Sequence, residues 1–242
     1  MSDEVVKTGI KGLDEVLGGG FIPKASILVS GGPGSGKSIF GLQFIIEGAR
    51  QYGEAGVYVT VEETADDIRF YGKRLGWNIA DFEAKNLVTI IEQPVQEGSL
   101  ISIDYIVRIV REKNAKRVVL DSLTLFNYMY GQQTTTLKTE ILRFIKAMSS
   151  FGVTLVVISE RHSTGIDDIT FTSEDFIFTG IILLLKLRIQ ASYERCLSVI
   201  KMRGVNHSLR VHPFKISPGG ILVLTDAKPF ALTGAEDGGQ SG

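Results

Sequence analysis

The sequence predicts an α/β fold in which a mostly parallel, twisted sheet is flanked by helices and continues into a C-terminal antiparallel β extension. Two observations lead to this prediction. Up to about residue 179, short β-rich runs alternate with segments whose apolar residues recur at helical spacing, which is typical of parallel strands joined by crossover helices. After that residue, strand-like runs follow one another through short polar turns, which indicates antiparallel pairing.

The parallel part contains five predicted strands with predicted helices between them. The strands are residues 25–30, 56–61, 87–91, 117–120 and 153–159. The helices are residues 36–52, 65–75, 102–114 and 137–150. We expect these strands to be buried and parallel, with polar residues at the points where they end.

The antiparallel part contains predicted strands at residues 181–189, 196–203, 211–216 and 221–224. No linker rich in proline or glycine separates it from the parallel part, so we predict a single domain over residues 1–230. Residues 231–242 are small, polar and rich in glycine, which predicts a disordered tail.

Composition limits the classes of function. The 26 basic and 27 acidic side chains give a net charge of -1, so no global charge attracts nucleic acid or anionic lipid, although a local basic groove remains compatible with this total. The single cysteine, Cys196, cannot form an internal disulfide, and the three histidines lack the spacing of a zinc site. No apolar run is long enough to cross a bilayer. We therefore expect a cytoplasmic protein without a membrane span.

A phosphate-binding loop is predicted at residues 31–38, where Gly-Gly-Pro-Gly-Ser-Gly-Lys-Ser matches G-x-x-x-x-G-K-[ST] between a strand and a helix. A glycine-rich turn that matches by chance is the alternative, and the flanking strand and helix argue against it. In such a loop, amide groups and the helix N-terminus bind phosphate, Lys37 reaches the β- and γ-phosphates, and the Ser38 hydroxyl binds Mg²⁺. The residues expected to contact ATP or ADP are Gly32, Pro33, Gly34, Ser35, Gly36, Lys37, Ser38 and Ile39.

Asp121 follows the apolar strand 117–120, where a second acidic residue of a phosphate site is expected to support the metal. The alternative is an aspartate that only begins a turn. The predicted phosphate loop favours the metal-supporting role, with Ser38 and Asp121 as the metal-binding residues.

Glu62 and Glu63 close the strand 56–61. If the extended geometry continues, adjacent side chains point to opposite faces, so only one of them can act as the base that deprotonates a water molecule for attack on the γ-phosphate. Acidic residues are also favoured near a helix N-terminus, and we assign a capping role of this kind to Glu63.

Together with the phosphate loop, Asp121 and the two glutamates, several further motifs make the sequence resemble the KaiC-like branch of the RecA superfamily of ATPases. The motifs that carry the resemblance are 8–14 (Thr-Gly-Ile-Lys-Gly-Leu-Asp), 18–20 (Gly-Gly-Gly), 62–64 (Glu-Glu-Thr), 75–77 (Leu-Gly-Trp), 121–122 (Asp-Ser), 159–161 (Ser-Glu-Arg) and 201–207 (Lys-Met-Arg-Gly-Val-Asn-His). The resemblance extends over nearly the whole chain. Its most specific motifs are the paired glutamates and the Lys-x-Arg-Gly-x-x-His segment.

The resemblance implies one RecA-like P-loop ATPase domain that forms a homo-oligomer, a hexameric ring in many members, with ATP and Mg²⁺ between subunits. It implies a catalytic group of Glu62, Glu63 and Lys37, with Glu62 as the base. It also implies that Lys201, Arg203 and His207 reach the nucleotide of the neighbouring subunit, and that Phe176 and Arg195 lie near the base.

The spacing of Lys201 and Arg203 is by itself compatible with the nucleotide contact that the resemblance implies. Lys201 and Arg203 are two residues apart on a predicted strand and share a face, which suits two cations that contact one polyanion. The alternative is a solvated strand face.

The sequence also departs from the clock protein of the family, which has two ATPase domains in tandem, so we do not expect a double-ring oscillator. The phosphorylated Ser-Thr pair of that protein has no secure counterpart. Residues 163–164 (Ser-Thr) and 172–173 (Thr-Ser) are candidates that are explained more simply as loop or cap residues, and autokinase activity stays open.

Three functions remain open at this point: an ATP-hydrolysing regulatory switch with an unidentified protein partner, a RecA- or RadA-like DNA-binding recombination ATPase, and a scaffold that binds ATP in order to assemble. The uncharged segment 127–136 contains tyrosines that could stack on bases or pack against a neighbouring subunit. We prefer packing, and do not favour a nucleic-acid partner.

Overall fold

A mixed sheet is the central element of the protein. The computed structural model describes residues 5–93, 102–130, 134–161, 171–172 and 175–233. The strands in these ranges are β1 (Ser26–Gly31), β2 (Gly56–Thr60), β3 (Val88–Glu92), β4 (Arg117–Asp121), β5 (Thr154–Glu160), β6 (Gly180–Ile189), β7 (Ser192–Met202), β8 (His212–Ser217) and β9 (Gly220–Val223). Every predicted strand is therefore present, with ends that differ from the prediction by a few residues.

Helices connect and cover these strands. They are α1 (Leu13–Val16), α2 (Lys37–Tyr52), α3 (Ala65–Arg74), α4 (Ile79–Ala84), α5 (Ile103–Glu112), α6 (Thr124–Tyr130), α7 (Thr134–Ser150) and α8 (Phe230–Thr233), with a 3₁₀ helix at Asp175–Ile177. The predicted helices correspond to α2, α3, α5 and α7. Among the described residues, no helix is long and apolar enough to cross a membrane.

Two segments differ from the prediction. Part of the uncharged segment 127–136 is helical, because α6 extends to Tyr130 and α7 begins at Thr134. The predicted tail begins inside α8, so its first residues are ordered, and residues 234–242 lie outside the described ranges.

The strand order is β3-β2-β4-β5-β1-β6-β7-β8-β9. The pairs from β3 through β6 are parallel, and those from β6 onward are antiparallel. The predicted α/β fold with an antiparallel extension is therefore confirmed. Because β1, β2, β4 and β5 are parallel, their carboxyl ends meet at one edge of the sheet, where ligands bind in folds of this class.

Apolar layers cover both faces of the sheet. On one face, α2, α3 and α4 pack against the strands through residues such as Phe44 and Ile68. On the other face, α5, α6 and α7 do so through residues such as Ile106 and Phe144. The antiparallel extension curls back over α2, where the Gln43 side chain accepts a hydrogen bond from Ile221 N at 2.6 Å and donates one to Ile221 O at 3.3 Å.

A buried arginine joins α2 to the sheet. Arg117, at the start of β4, is 1% exposed. Its guanidinium donates to Glu54 Oε2 at 2.6 Å and to Phe44 O at 3.0 Å, and it lies 4.6 Å from the centroid of the Phe44 ring. Glycine at position 48 is required for this contact, because a β-carbon there would collide with the guanidinium.

Replacing Arg117 with Met is expected to lower the free energy of unfolding by about 3 kcal/mol, because the change leaves Glu54 and the Phe44 carbonyl without their buried partner. Urea denaturation would measure this loss. Arg143→Met is the matched control, since Arg143 pairs with Asp104 at 2.8 Å on the surface, where both side chains are more than half exposed. The control should lose less than about 1 kcal/mol, and equal losses in the two variants would contradict the role of Arg117.

Candidate functional site

The predicted phosphate loop connects the end of β1 to the start of α2. Gly34 and Gly36 have φ values of 70° and 107°, in the left-handed region that favours glycine. The loop is closed by a hydrogen bond from Ser35 N to Gly32 O at 3.3 Å. The first amides of α2 lack intrahelical acceptors and point out of the helix N-terminus, so the loop has the donors that an anion needs.

Lys37 begins α2 and lies across this loop. Its side chain is 9% exposed, and Nζ donates to Gly32 O at 3.1 Å and lies 4.0 Å from Glu160 Oε1. Burial lowers the pKa of Lys37, while the charges of Glu160, Asp121 and Glu62 oppose that shift. A buried ammonium group at the mouth of the loop is suited to bind phosphate.

Asp121 lies at the end of β4, as predicted, and its carboxylate accepts a hydrogen bond from the Tyr58 hydroxyl at 2.6 Å. Burial raises the pKa of Asp121, while hydrogen bonds from Tyr58 and Ser38 and the charge of Lys37 oppose the rise. The peptide bond from Asp121 to Ser122 is cis. The structure thus brings together Ser38 and Asp121, the residues predicted to hold Mg²⁺.

This donor set fits Mg²⁺ bound together with phosphate. Within the described ranges, no cluster of three or more His, Cys, Asp or Glu side chains could hold a metal unaided. Mg²⁺ commonly takes only one or two protein ligands and completes its shell with water and substrate phosphates. One hydroxyl and one carboxylate beside a phosphate loop match that pattern.

Glu62 and Glu63 follow the end of β2 at Thr60, and the chain bends there. The Thr124 hydroxyl donates to Glu62 Oε1 at 3.2 Å, and the Thr60 hydroxyl donates to Glu63 O at 2.8 Å. Burial raises the pKa of Glu63, and the charge of Asp121 raises it further. A hydrogen bond from the Tyr71 hydroxyl opposes the rise. The two glutamates therefore differ in their surroundings.

Both glutamates nevertheless line one cavity, so the expectation that they point to opposite faces is wrong, because strand geometry ends before them. The capping role assigned to Glu63 is also wrong. Thr64 caps α3, since its side chain accepts a hydrogen bond from Asp67 N while the Asp67 carboxylate accepts one from Thr64 N.

The cavity that contains the glutamates has a volume of about 240 Å³, and we call it the carboxylate cavity. It is lined by Pro33, Gly34, Lys37, Ser38, Thr60, Glu62, Glu63, Asp121, Ser122, Ile158 and Glu160. Sequence reasoning did not select Glu160 as a site residue. Its position at the end of β5 was an available signal, because the carboxyl ends of parallel strands share an edge.

A second cavity, of about 420 Å³, adjoins the first and is mostly apolar. We call it the apolar cavity. It is lined by Gly34, Gly36, Lys37, Ser38, Ile39, Tyr71, Arg74, Leu75, Arg195 and Ile216. Ile39 and Arg195 were predicted to contact the nucleotide, and Arg195 Nε donates to Gly34 O at 3.4 Å. Because the cavities share Gly34, Lys37 and Ser38, one molecule can occupy both.

Lys201 and Arg203 lie away from this site. Lys201 Nζ and Arg203 Nη2 both donate to Phe176 O, at 3.4 Å and 3.2 Å. Arg203 lies in the turn after β7, beyond the end of the strand on which the sequence analysis placed both cations. Along β6, Lys201 is opposite Ile181, whereas Gly31 of the phosphate loop is opposite Leu184, about 10 Å further along the strand. The structure does not bring these cations to the phosphate loop of the same chain.

The remaining predicted residues fall in separate places. Phe176 is 62% exposed on the 3₁₀ helix, beside the two cations and apart from Arg195. His207 lies in the loop after β7, with Nδ1 3.0 Å from Ser208 O. Of the residues considered for phosphorylation, Ser163, Thr164 and Ser173 lie outside the described ranges.

Comparison with known proteins agrees with this architecture. A protein-family model described as "ATPase: KaiC" matches residues 6–228. The chain belongs to the KaiC family of ATPases. A UPF0273 protein of Pyrococcus furiosus is 34% identical over 237 residues, which cover 91% of this chain and 94% of that protein.

Two further relatives place the chain within the KaiC family. The circadian clock oscillator protein KaiC of Prochlorococcus marinus is 31% identical over 233 residues, which cover 93% of this chain but 46% of that protein. The crystal structure of a KaiC-like protein from Pyrococcus horikoshii has a TM-score of 0.80 at 33% identity and covers 91% of this chain and 99% of that one. Residues 6–228 of this KaiC-family protein therefore form a P-loop ATPase domain of the RecA superfamily.

Replacing Asp121 with Asn is expected to raise the melting temperature of this KaiC-family protein in the absence of Mg²⁺ and nucleotide. The pKa of Asp121 is raised in the folded state, so its contribution to stability is complete below the unfolded pKa and is lost as the pH rises through the folded pKa. The advantage of the variant should be absent near about pH 4 and should grow toward neutral pH.

Thermal denaturation followed by circular dichroism across this range would measure the difference. Asp66→Asn is the control, because the Asp66 side chain is 92% exposed and its loss should change the melting temperature little at any pH. A melting temperature of Asp121→Asn at or below that of the wild type at neutral pH would show that the buried carboxylate does not destabilise the free protein.

Proposed function

We propose that this protein hydrolyses ATP with Mg²⁺ at sites shared between neighbouring subunits of a ring, and that nucleotide state controls its contacts with a regulatory partner. The observation that carries the proposal is the carboxylate cavity. It combines the phosphate-loop lysine, the Ser38–Asp121 pair and two glutamates at one edge of the sheet.

Each part of ATP has a matching part of the site. The triphosphate would lie on the phosphate loop, with its terminal phosphate in the carboxylate cavity and its nucleoside in the apolar cavity. Lys37 would bind the β- and γ-phosphates, and Ser38 with Asp121 would hold Mg²⁺, which neutralises phosphate charge when bound. The family to which the chain belongs supports nucleotide binding.

Glu62 is the proposed base. It would accept a proton from the water whose oxygen bonds to the γ-phosphorus, while the bond between that phosphorus and the bridging oxygen breaks to give ADP and phosphate. The Thr124 hydroxyl orients the Glu62 carboxylate at 3.2 Å. Glu63 is less exposed than Glu62, and the charge of Asp121 acts on it, so it would support the metal side of the site.

Lys201, Arg203 and His207 would act on the nucleotide of the adjacent subunit. Lys201 and Arg203 already converge on one acceptor, the carbonyl of Phe176, and neither reaches the phosphate loop of its own chain. A head-to-tail contact that brings this surface to the phosphate loop of a neighbour closes into a ring when its rotation permits. A hexamer is the proposed ring.

A slow switch is the form of ATPase that we favour. In a shared site, loss of the γ-phosphate removes the anion that holds the two subunits together, so each turnover changes subunit contacts and the surface offered to a partner. Strong stimulation of turnover by single-stranded DNA, with salt-dependent binding, would instead support the recombination ATPase.

Glu62→Gln is expected to lower kcat for ATP by about 100-fold or more while ADP binding is kept, because the amide cannot accept the proton. Phosphate release with saturating MgATP measures this change. Glu63→Gln should lose less activity, and Asp66→Asn, on the surface, should lose none. Unchanged turnover in Glu62→Gln would refute its assignment as the base.

Mixing two inactive variants tests the shared site. Lys37→Ala removes the phosphate-loop lysine but keeps the cations, and the double variant Lys201→Ala/Arg203→Ala does the reverse. If sites form between subunits, an equal mixture should recover about a quarter of wild-type turnover, because half of the phosphate loops and half of the cation pairs are intact. Light scattering with ATP would establish the molar mass. No recovery in subunits that exchange freely would place each site within one chain.

A further inference from the structure

Tyr58 is a buried side chain beside the candidate site that has no part in the proposed mechanism. It lies in the middle of β2 and is 0% exposed. Its hydroxyl donates a hydrogen bond to Asp121 Oδ2 at 2.6 Å. Burial raises the pKa of Tyr58, and the charge of Asp121 raises it further, so the hydroxyl keeps its proton and stays a donor. Phenylalanine would serve for packing alone, because a buried hydroxyl needs a polar partner.

The register of the sheet brings Tyr58 to Asp121. Tyr58 is paired with Val119 on β4, and Asp121 follows Val119 by two residues on the same face of that strand. The tyrosine side chain therefore reaches along the sheet toward its carboxyl edge. Because both residues belong to paired strands, backbone hydrogen bonds fix the geometry of their contact.

Helix α2 covers this contact at a glycine. A β-carbon at position 41 would collide with Val119 and would touch the Tyr58 ring. Gly41 follows Ser38 by three residues, so the two share a face of the helix. The close approach at Gly41 therefore brings Ser38 down to the sheet edge where Asp121 lies, and it encloses the tyrosine.

The hydrogen bond from Tyr58 restricts how Asp121 can support a metal ion. It engages Oδ2 and fixes the plane of the carboxylate, which favours metal binding through Oδ1 alone. Mg²⁺ is small and requires near-ideal octahedral geometry, whereas Ca²⁺ accepts flexible geometry and can take both oxygens of a carboxylate. A carboxylate fixed through one oxygen therefore suits Mg²⁺ better than Ca²⁺.

We propose that Tyr58 is a positioning residue for the metal side of the site: its hydroxyl fixes the Asp121 carboxylate, and the fixed carboxylate favours Mg²⁺ over Ca²⁺ as the ion bound with the nucleotide. This inference rests on the proposed function, because it concerns the metal that accompanies ATP. It assigns the choice of that metal to a side chain in the core of the sheet.

Binding of fluorescent ADP with Mg²⁺ or Ca²⁺ measures the choice of ion without turnover. The readout is the concentration of each metal that gives half of the metal-dependent change in fluorescence. In Tyr58→Phe this concentration should rise about tenfold for Mg²⁺, because the carboxylate loses the partner that orients it. It should change less than about twofold for Ca²⁺, whose coordination is flexible. A general loss of stability would affect both ions equally.

Tyr130→Phe is the matched control for this measurement. The Tyr130 hydroxyl also donates to a carboxylate, Glu140 Oε2 at 3.4 Å, but Tyr130 packs in the apolar layer on the other face of the sheet. The control should keep the wild-type concentrations for both ions. A Tyr58→Phe variant that keeps the wild-type ratio of the two concentrations would overturn the inference.

The stability of the protein without metal or nucleotide tests the contact itself. At neutral pH, Tyr58→Phe should lower the melting temperature by about 5 °C, because the buried carboxylate loses a donor. In an Asp121→Ala background the same change should lower it by less than about 1 °C, because the hydroxyl there has lost its acceptor. Equal losses in the two backgrounds would show that the hydrogen bond does not hold the carboxylate.

The outcomes separate this inference from the proposed function. A wild type whose ADP binding does not respond to Mg²⁺ would refute the proposed function and, with it, the choice of ion, even if the melting temperatures demonstrate the contact. A wild type that binds ADP with Mg²⁺ and hydrolyses ATP, but whose ratio of ions is unchanged in Tyr58→Phe, would refute this inference and keep the proposed function.

Discussion

Burial of charge at the carboxyl edge of the parallel sheet is the constraint on which the rest of this structure depends. Lys37 and Asp121 both lose water, and burial moves the pKa of the lysine down and that of the aspartate up, which in each case favours the neutral form. Their mutual attraction and the hydrogen bond from Tyr58 oppose these shifts. Such a site suits ligands of opposite charge, because a phosphate would compensate the lysine and a divalent cation would compensate the aspartate. The surrounding fold provides the free energy that keeps both groups in place.

Much of the fold could be predicted from the sequence because its strands are local apolar runs. Strands such as β1 and β4 are buried along nearly their whole length, so hydropathy marks them directly. The short helices α1, α4, α6 and α8 could not be found in this way, since helices of four to seven residues give too few turns to display a period.

The candidate site was predictable where a motif fixes local geometry, as at residues 31–38, and less so where the chain bends. Glu62 and Glu63 were expected on opposite faces because strand geometry was extended past Thr60, where the structure ends it. Tyr71 and Thr124 were missed, since each approaches a glutamate from another element and has no distinctive neighbours in the sequence. Glu160 was found only within a family motif. Contacts between side chains that are distant in the sequence depend on how the elements pack around the sheet. Local sequence patterns therefore do not predict them.

The hydrogen bonds between Gln43 and Ile221 have a consequence for how this family can diverge. They attach β9, near the end of the fold, to the middle of the helix that begins at the phosphate loop. Gly220 must lack a side chain for this approach, because a β-carbon there would collide with Gln43. Insertions in the exposed turn at Gln190 leave the attachment untouched, whereas a shift of one residue in the turn before β9 would move it. The contact with α2 therefore does not restrict the length of the first hairpin of the extension, whereas a longer second hairpin would displace β9 from the helix that it holds.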